Sequence, residues 1–132
     1  MLGKTYRFSV NNGTGVAVTV TVKRLEWKFT SAGALSFGTE TTDATLNALS
    51  VTAGTYSDGA TIDNSANLYL GAGVEVTMAP SASATGTVAV FIQRSLDGGT
   101  TWPADATGEF VCAYTFSASS TSTVVQGTVS GG

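Results

Sequence analysis

Apolar and polar positions alternate with period two along most of this chain, and no long stretch keeps the 3.6 period of an amphipathic helix. "TYRFSV" places Tyr6, Phe8 and Val10 on one face and Thr5, Arg7 and Ser9 on the other, as a strand with one buried face does. "VAVTVTVKRLEWKF" is the longest strand candidate. Within it Val16, Val18, Val20 and Val22 share one parity, whereas Leu25, Trp27 and Phe29 take the other. One extra residue flips the register, so a bulge or bend near Lys23–Arg24 is expected to return both sets to one core. A strand crossing from sheet to sheet at a sandwich corner achieves the same. On either route Trp27 belongs to the core.

Further along, "LYLGAGVEVTMA", "GTVAVFIQRS", "GEFVCAYTF" and "TSTVVQGTV" read as strands, with "NNGTG", "PSASATG" and "SASS" as the turns between elements. "TTDATLNALS" admits two readings. It forms a short helical turn capped by Thr42 or Asp43, with Leu46 and Leu49 facing inward, or it forms an edge strand. "AGTYSDGATIDNSAN" carries turn signals and few large apolar residues, and reads as a long exposed loop. About eight or nine short strands separated by turn clusters predict an all-β protein, an antiparallel sandwich of jelly-roll or immunoglobulin-like type. No repeat or internal boundary divides the chain, so residues 1–132 form one domain. Residues 1–12 are expected to be an extended N-terminal arm that reaches a partner by strand addition. Residues 130–132 are expected to fray.

Composition sharpens this picture. Charged residues are 11% of the chain, less than half the usual share of about 25%. Thr, Ser, Ala and Gly make up about half of it instead. A polar surface with so little charge is cheap to desolvate against a neighbour, which suits life inside an assembly. Six basic residues and a net charge of −3 leave no basic stripe to neutralise a phosphate backbone, so no nucleic-acid partner is expected. No apolar run approaches the ~20 residues of a membrane span, and "MLGKTYRFSV" lacks the charged and apolar regions of a secretory signal. The single Cys112 lies in an alternating stretch and reads as a small buried apolar residue.

Candidate chemistry is sparse. With no histidine there is no Ser-His-Asp triad, and one cysteine cannot build a zinc cluster. "DGGTTWPAD" and "SDGATIDNS" offer hard oxygen donors of the kind calcium takes, without EF-hand spacing, and solvated loops are the simpler reading. The stretch "RSLDGGTTWP" holds more information. Ser95, Asp97, Gly99, Thr101 and Trp102 match the pattern Ser-x-Asp-x-Gly-x-Thr-Trp, which resembles the Asp-box of sialidase propellers. Physically it describes a hairpin tip. The Asp97 carboxylate folds back onto backbone N–H groups, Gly98 and Gly99 permit positive φ, and the Trp102 indole lies beneath the turn. Sialidases resemble one another in several such boxes, an arginine cluster and a tyrosine nucleophile, and this chain has one box and three dispersed arginines. Asp97, Asp105 and Glu109 are close in sequence, yet turn acids of this kind are more often capping groups than a catalytic pair. Neither catalysis nor a cofactor is expected.

Taken together, "FSVNNGTGVAVTVTVKR", "KFTSAGALSF", "LYLGAGVEVTM" and "GTVAVFIQRSLDGGTTWP", with a Gly/Ser/Thr-rich final strand, resemble small β-sandwich proteins of tailed bacteriophages. The likeness is one of texture across most of the chain. It implies a non-enzymatic virion structural protein, assembled in the host bacterial cytoplasm. Its most favoured role is capsid decoration (cement), with the major capsid protein or another virion protein as partner and with self-association, for example as a trimer. A tail, neck or fibre component is the alternative within that class. A carbohydrate-binding module is the alternative outside it, with Trp27, Tyr56, Tyr69 and Trp102 as the aromatic platforms available to sugar rings.

Overall fold

A computed structural model describes residues 2–105 and 107–130. Its strands are β1 (Thr5–Asn12), β2 (Val18–Phe29), β3 (Leu35–Phe37), β4 (Thr41–Thr42), β5 (Leu49–Val51) and β6 (Tyr56–Asp58). They continue as β7 (Ile62–Asp63), β8 (Gly71–Pro80), β9 (Ala84–Ser95), β10 (Glu109–Ser119) and β11 (Thr123–Ser130). Two antiparallel sheets result. Sheet A runs β10-β9-β1-β6, with β7 also pairing β1, and sheet B runs β11-β8-β2-β3, with β4 and β5 also pairing β2. The expected all-β sandwich is therefore what the chain builds, with eleven strands in place of eight or nine. The surplus consists of short pieces, β3 to β7, that line the outer edges of β1 and β2 in succession.

The inward residues of the long strands meet in one core. Tyr6, Phe8 and Val10 of β1, with Val88, Val90 and Ile92 of β9 beside them in sheet A, face Val18, Val20 and Val22 of β2 and Val74, Val76 and Met78 of β8. Tyr6 and Phe8 pack edge to face at 5.9 Å between centroids, the geometry favoured by ring quadrupoles. In β10 a register shift between Phe110 and Cys112 makes Val111 an extra residue, and Val111 and Cys112 are both buried. Gly127 of β11 passes so close to the Val111 carbonyl that any side chain there would collide with it. The two sheets therefore approach closely where β11 passes the start of β10.

Several sequence expectations are corrected by the fold. Of the expected arm 1–12, residues 2–12 are packed into the sandwich, and Met1 lies outside the described residues. β1 is an interior strand, with β9 on one side and β6 and β7 on the other. Leu2 is fully buried and its carbonyl accepts from Arg94 Nε at 3.1 Å. Three apolar residues on one face of β1 leave it no stable alternative to burial. The fraying expected for 130–132 is not seen at Ser130, which still pairs with Gly71, and 131–132 lie outside the described residues.

The segment "TTDATLNALS" holds no helix. Asp43 does cap, because its Oδ1 accepts from the backbone N–H groups of Thr45 (2.9 Å), Leu46 (2.9 Å) and Ala60 (3.1 Å). The turn it caps delivers Leu46 into the core and leads into β5. The expected loop at "AGTYSDGATIDNSAN" is largely edge structure, since β6 and β7 pair with β1. Asn64 ends that run, buried, bonding to the Gly3 and Tyr69 carbonyls and to the Tyr69 N–H. These side chains supply the backbone partners that a regular ladder would otherwise provide.

The parity switch in β2 is resolved differently from either expectation. β2 pairs with β8 from Val18↔Pro80 to Trp27↔Gly71 without a register shift, and it stays in sheet B throughout. The strand runs straight, and Leu25, Trp27 and Phe29 face outward. On the inner side of this end lies Glu26, buried, where an apolar residue was expected. Tyr6 donates its hydroxyl to Glu26 Oε2 across the two sheets, and Arg24 Nε donates to Oε1 at 3.2 Å. A buried carboxylate is tolerated because both of its oxygens are engaged. Burial, reinforced by the hydrogen bond to Glu26, pushes the Tyr6 phenol far above its ordinary range, so it stays a donor.

Candidate functional site

The hairpin tip after β9 is built as its residue types require. Asp97 Oδ1 accepts from Ser95 Oγ (2.8 Å), Thr100 N (3.1 Å) and Thr101 N (2.8 Å). Gly98 and Gly99 take φ of 74° and 100°, and Gly99 N donates to Ser95 Oγ at 2.9 Å. The Trp102 Nε1–H donates to the Gly99 carbonyl at 3.0 Å, closing the tip. The indole anchors on the outer face of sheet A as well, where Arg7 Cζ stacks 4.2 Å from its ring centre. Arg7 is held in turn by Asp58 at 3.2 Å and by the buried Gln93, which accepts from its Nε at 2.9 Å. All the residues read as a structural hairpin are thus brought together, and Arg7 is the member that spacing did not reveal.

Hydrogen bonding by Thr101, with Ser95 adding to it, pulls the Asp97 carboxyl down to about 2 from 3.8. A depressed carboxyl contributes stability that is present above its unfolded value and is lost as pH falls through its folded value. Asp97→Ala is therefore expected to melt below wild type at neutral pH. The gap should narrow as pH drops from 3.8 through about 2. Thermal melts of both proteins over this range check it, and a gap independent of pH would remove the carboxylate from the account.

The acids weighed as a catalytic pair are occupied by their neighbours. Glu109 Oε2 accepts from Arg94 Nη1 at 2.6 Å, and Asp97 is spent on its own loop. Among the described residues no three His, Cys, Asp or Glu side chains converge as a metal site would need. Cys112 is buried, as read from the sequence, and burial pushes its thiol up to about 11. Such a thiol is protonated and inert at neutral pH.

The feature that sequence reasoning missed lies on the outer face of sheet B. Leu25, Trp27 and Phe29 of β2 point outward there, and the register sets Phe37 of β3 opposite Trp27 and Leu35 opposite Phe29. Leu25, Phe29, Leu35 and Phe37 are 37%, 55%, 52% and 57% exposed. Trp27 and Phe29 meet edge to face at 6.1 Å. The Trp27 indole lies over Gly71 of β8, where any side chain would displace it. Gly73, the next outward position of β8, leaves a trough beside Leu25. This trough is an open groove of about 610 Å³, edged by Lys23, Glu40, Glu75, Gln126 and Thr128. Apolar patch and polar-rimmed groove share Leu25 and form one continuous surface. The opposite parity of Leu25, Trp27 and Phe29 was the available signal.

The remaining aromatics are differently placed. Tyr69 packs partly against the core with Lys28 Nζ 5.2 Å from its ring centre, and Tyr56 lies on edge strand β6, 38% exposed. No family model, curated protein or solved structure matches this chain.

Proposed function

We propose that this chain is a non-enzymatic structural protein of a tailed-bacteriophage virion, a decoration protein that docks on the head lattice through the outer face of sheet B. The observation that carries the reading is the row of adjacent apolar side chains, Leu25, Trp27, Phe29, Leu35 and Phe37, turned away from the core. With Phe29, Leu35 and Phe37 about half exposed, Leu25 less so and Trp27 partly covered, they present roughly 400 Å² of apolar surface. That is the scale of a functional patch and about half of one partner's share, ~800 Å², in a standard interface. Lys23, Glu40, Glu75, Gln126 and Thr128 supply a polar rim at its Leu25 end, as polar rims border docking surfaces. The low overall charge works in the same direction, because little hydration has to be stripped from the surroundings of the patch.

The major capsid protein is the partner in this reading, and the virion is the location. Quantitative mass spectrometry of purified particles encoded with this chain tests it. Hundreds of copies per particle are expected of a capsid lattice, whereas a small multiple of three or six would move the protein to the tail or neck. In the same assay Leu25→Glu, an exposed substitution, is expected to reduce particle binding at least tenfold while the melting curve is unchanged. Undiminished binding of Leu25→Glu would discard this face. Glycan-array hits without particle association would replace the reading with carbohydrate binding.

A further inference from the structure

We infer that the free edge of β3 is a self-pairing seam, through which two copies of this chain join their B sheets about a two-fold axis. β3 ends the order β11-β8-β2-β3, so among the described residues one of its two edges has no strand beside it. Which backbone groups that edge presents follows from the hairpin. Thr30 N donates to Ala34 O and Gly38 N donates to Glu26 O, both at 2.8 Å. Hydrogen-bonded pairs alternate along an antiparallel ladder, so between these two it is Ser36 that bonds to its register partner Lys28. The N–H and C=O groups of Leu35 and Phe37 therefore point away from β2, toward open solvent.

Exposed edges are normally blunted by a very short strand, charge, proline or a bulge. β3 is three residues long, but from Thr30 to Thr39 the chain carries no charge, proline or bulge, and reads "TSAGALSFGT". Such an edge is a template for pairing, and its geometry selects a second copy as the occupant. Two β3 strands set antiparallel about Ser36 place Leu35 of each opposite Phe37 of the other. The outward N–H and C=O groups then satisfy one another in two doubly bonded pairs, and each Leu35 meets a Phe37 ring on the outer face. The nearest charge along the strand is Glu40, four positions from the axis. The two copies' Glu40 side chains end up roughly 25 Å apart, well beyond the Debye length of about 8 Å. Nothing in the segment opposes its own image.

Antiparallel pairing of an edge with itself closes after two copies, so the self-association this seam gives is a pair. It makes the outer faces of two B sheets continuous. Their apolar patches then total roughly 800 Å², one partner's full share of a standard interface. The seam itself does not depend on what that face binds.

The axis leaves a signature. Ser36 faces its own copy in a non-hydrogen-bonded pair, with Cα atoms ~4.5 Å apart, within disulfide reach. Under mild oxidation Ser36→Cys is expected to convert most of the protein into a covalent dimer on a non-reducing gel. Ala32→Cys, whose copies lie roughly 25 Å apart along the seam, should remain uncrosslinked. Buried Cys112 does not compete. Light scattering is expected to give wild type twice its 13.3 kDa chain mass, and Phe37→Lys the single mass. A monomeric or three-fold wild type, or equal crosslinking of the two cysteine variants, would overturn the seam. Leu25→Glu separates the two readings: it is expected to stay dimeric while losing particles, so a dimeric Leu25→Glu that still binds particles discards the docking face alone, and a monomeric wild type that binds particles discards the seam alone.

Discussion

Glu26→Ala is expected to destabilise this protein by about 3–5 kcal/mol, the cost of breaking a buried charge pair from one side. Glu26 lies between the sheets with one oxygen accepting from Tyr6 and the other from Arg24. Removing it strands the Tyr6 hydroxyl in the core and leaves a mostly buried guanidinium without its carboxylate. Both groups lose a charge-assisted bond, and the fully buried Tyr6 hydroxyl cannot turn to bulk water. Against a typical domain stability of about 5–15 kcal/mol, the loss is a large fraction of the whole. Tyr6→Phe should cost less, about 1–3 kcal/mol, because the carboxylate keeps Arg24. The pair should couple, so the double variant Tyr6→Phe with Glu26→Ala falls short of the sum of the singles. Urea titration with an unchanged m-value measures all three. A loss below about 1 kcal/mol for Glu26→Ala would show that the straight run of β2 does not rest on this bridge.

The next largest effect is expected at Asn12, where Ala should cost about 2–4 kcal/mol. Its side chain is fully buried and uses its bonding capacity on three segments. Nδ2 donates to the carbonyls of Val16 (2.9 Å) and Val51 (3.0 Å), and Oδ1 accepts from Thr14 N (3.0 Å) and Thr14 Oγ1 (2.7 Å). It therefore fixes the corner where β1 leaves sheet A for β2, and ties β5 to that corner. Asn12→Ala leaves the Val51 carbonyl and the Thr14 N–H without these partners. Asn12→Asp, nearly isosteric, should rescue nothing, because it keeps the acceptor for Thr14 and sets a carboxylate oxygen against two carbonyls. Equilibrium unfolding of the two variants checks this, and a neutral Asn12→Asp would contradict the assigned orientation of the amide.

The contrast between these two sites shows what sequence periodicity carries. Alternation placed Tyr6, Phe8, Val10 and the valines of β2 in the core, because burying one face of a strand is a local property. It misplaced Leu25, Trp27 and Phe29, because the residue that licenses their outward parity is Glu26, and its partner Tyr6 is twenty positions away in the other sheet. Asn12 and Asn64 escaped notice for a related reason, and Asp43 was legible as a local cap but not in its bond to Ala60. Asparagine and aspartate in polar turn stretches read as solvated turn residues, and nothing local separates those from the buried ones that satisfy backbone groups of distant segments. The Asp-box tip was legible because all but one of its interactions close within eight residues. The exception, Arg7 over Trp102, joins positions almost a hundred apart.

The interior position of β1 also decides when this protein can fold. Thr5 lies opposite Ser95 and Asn12 opposite Val88, so β1 waits for β9 to be synthesised before its main ladder can form. Most of the chain must be synthesised while Tyr6, Phe8 and Val10 have no sheet to enter. Closure of so long a loop is entropically slow, and pairings of this range place a β-protein among folders of milliseconds to seconds. Over that interval the uncharged edges have time to find other chains. The order of the strands thus makes the nascent chain, more than the finished sandwich, the form most exposed to misassembly.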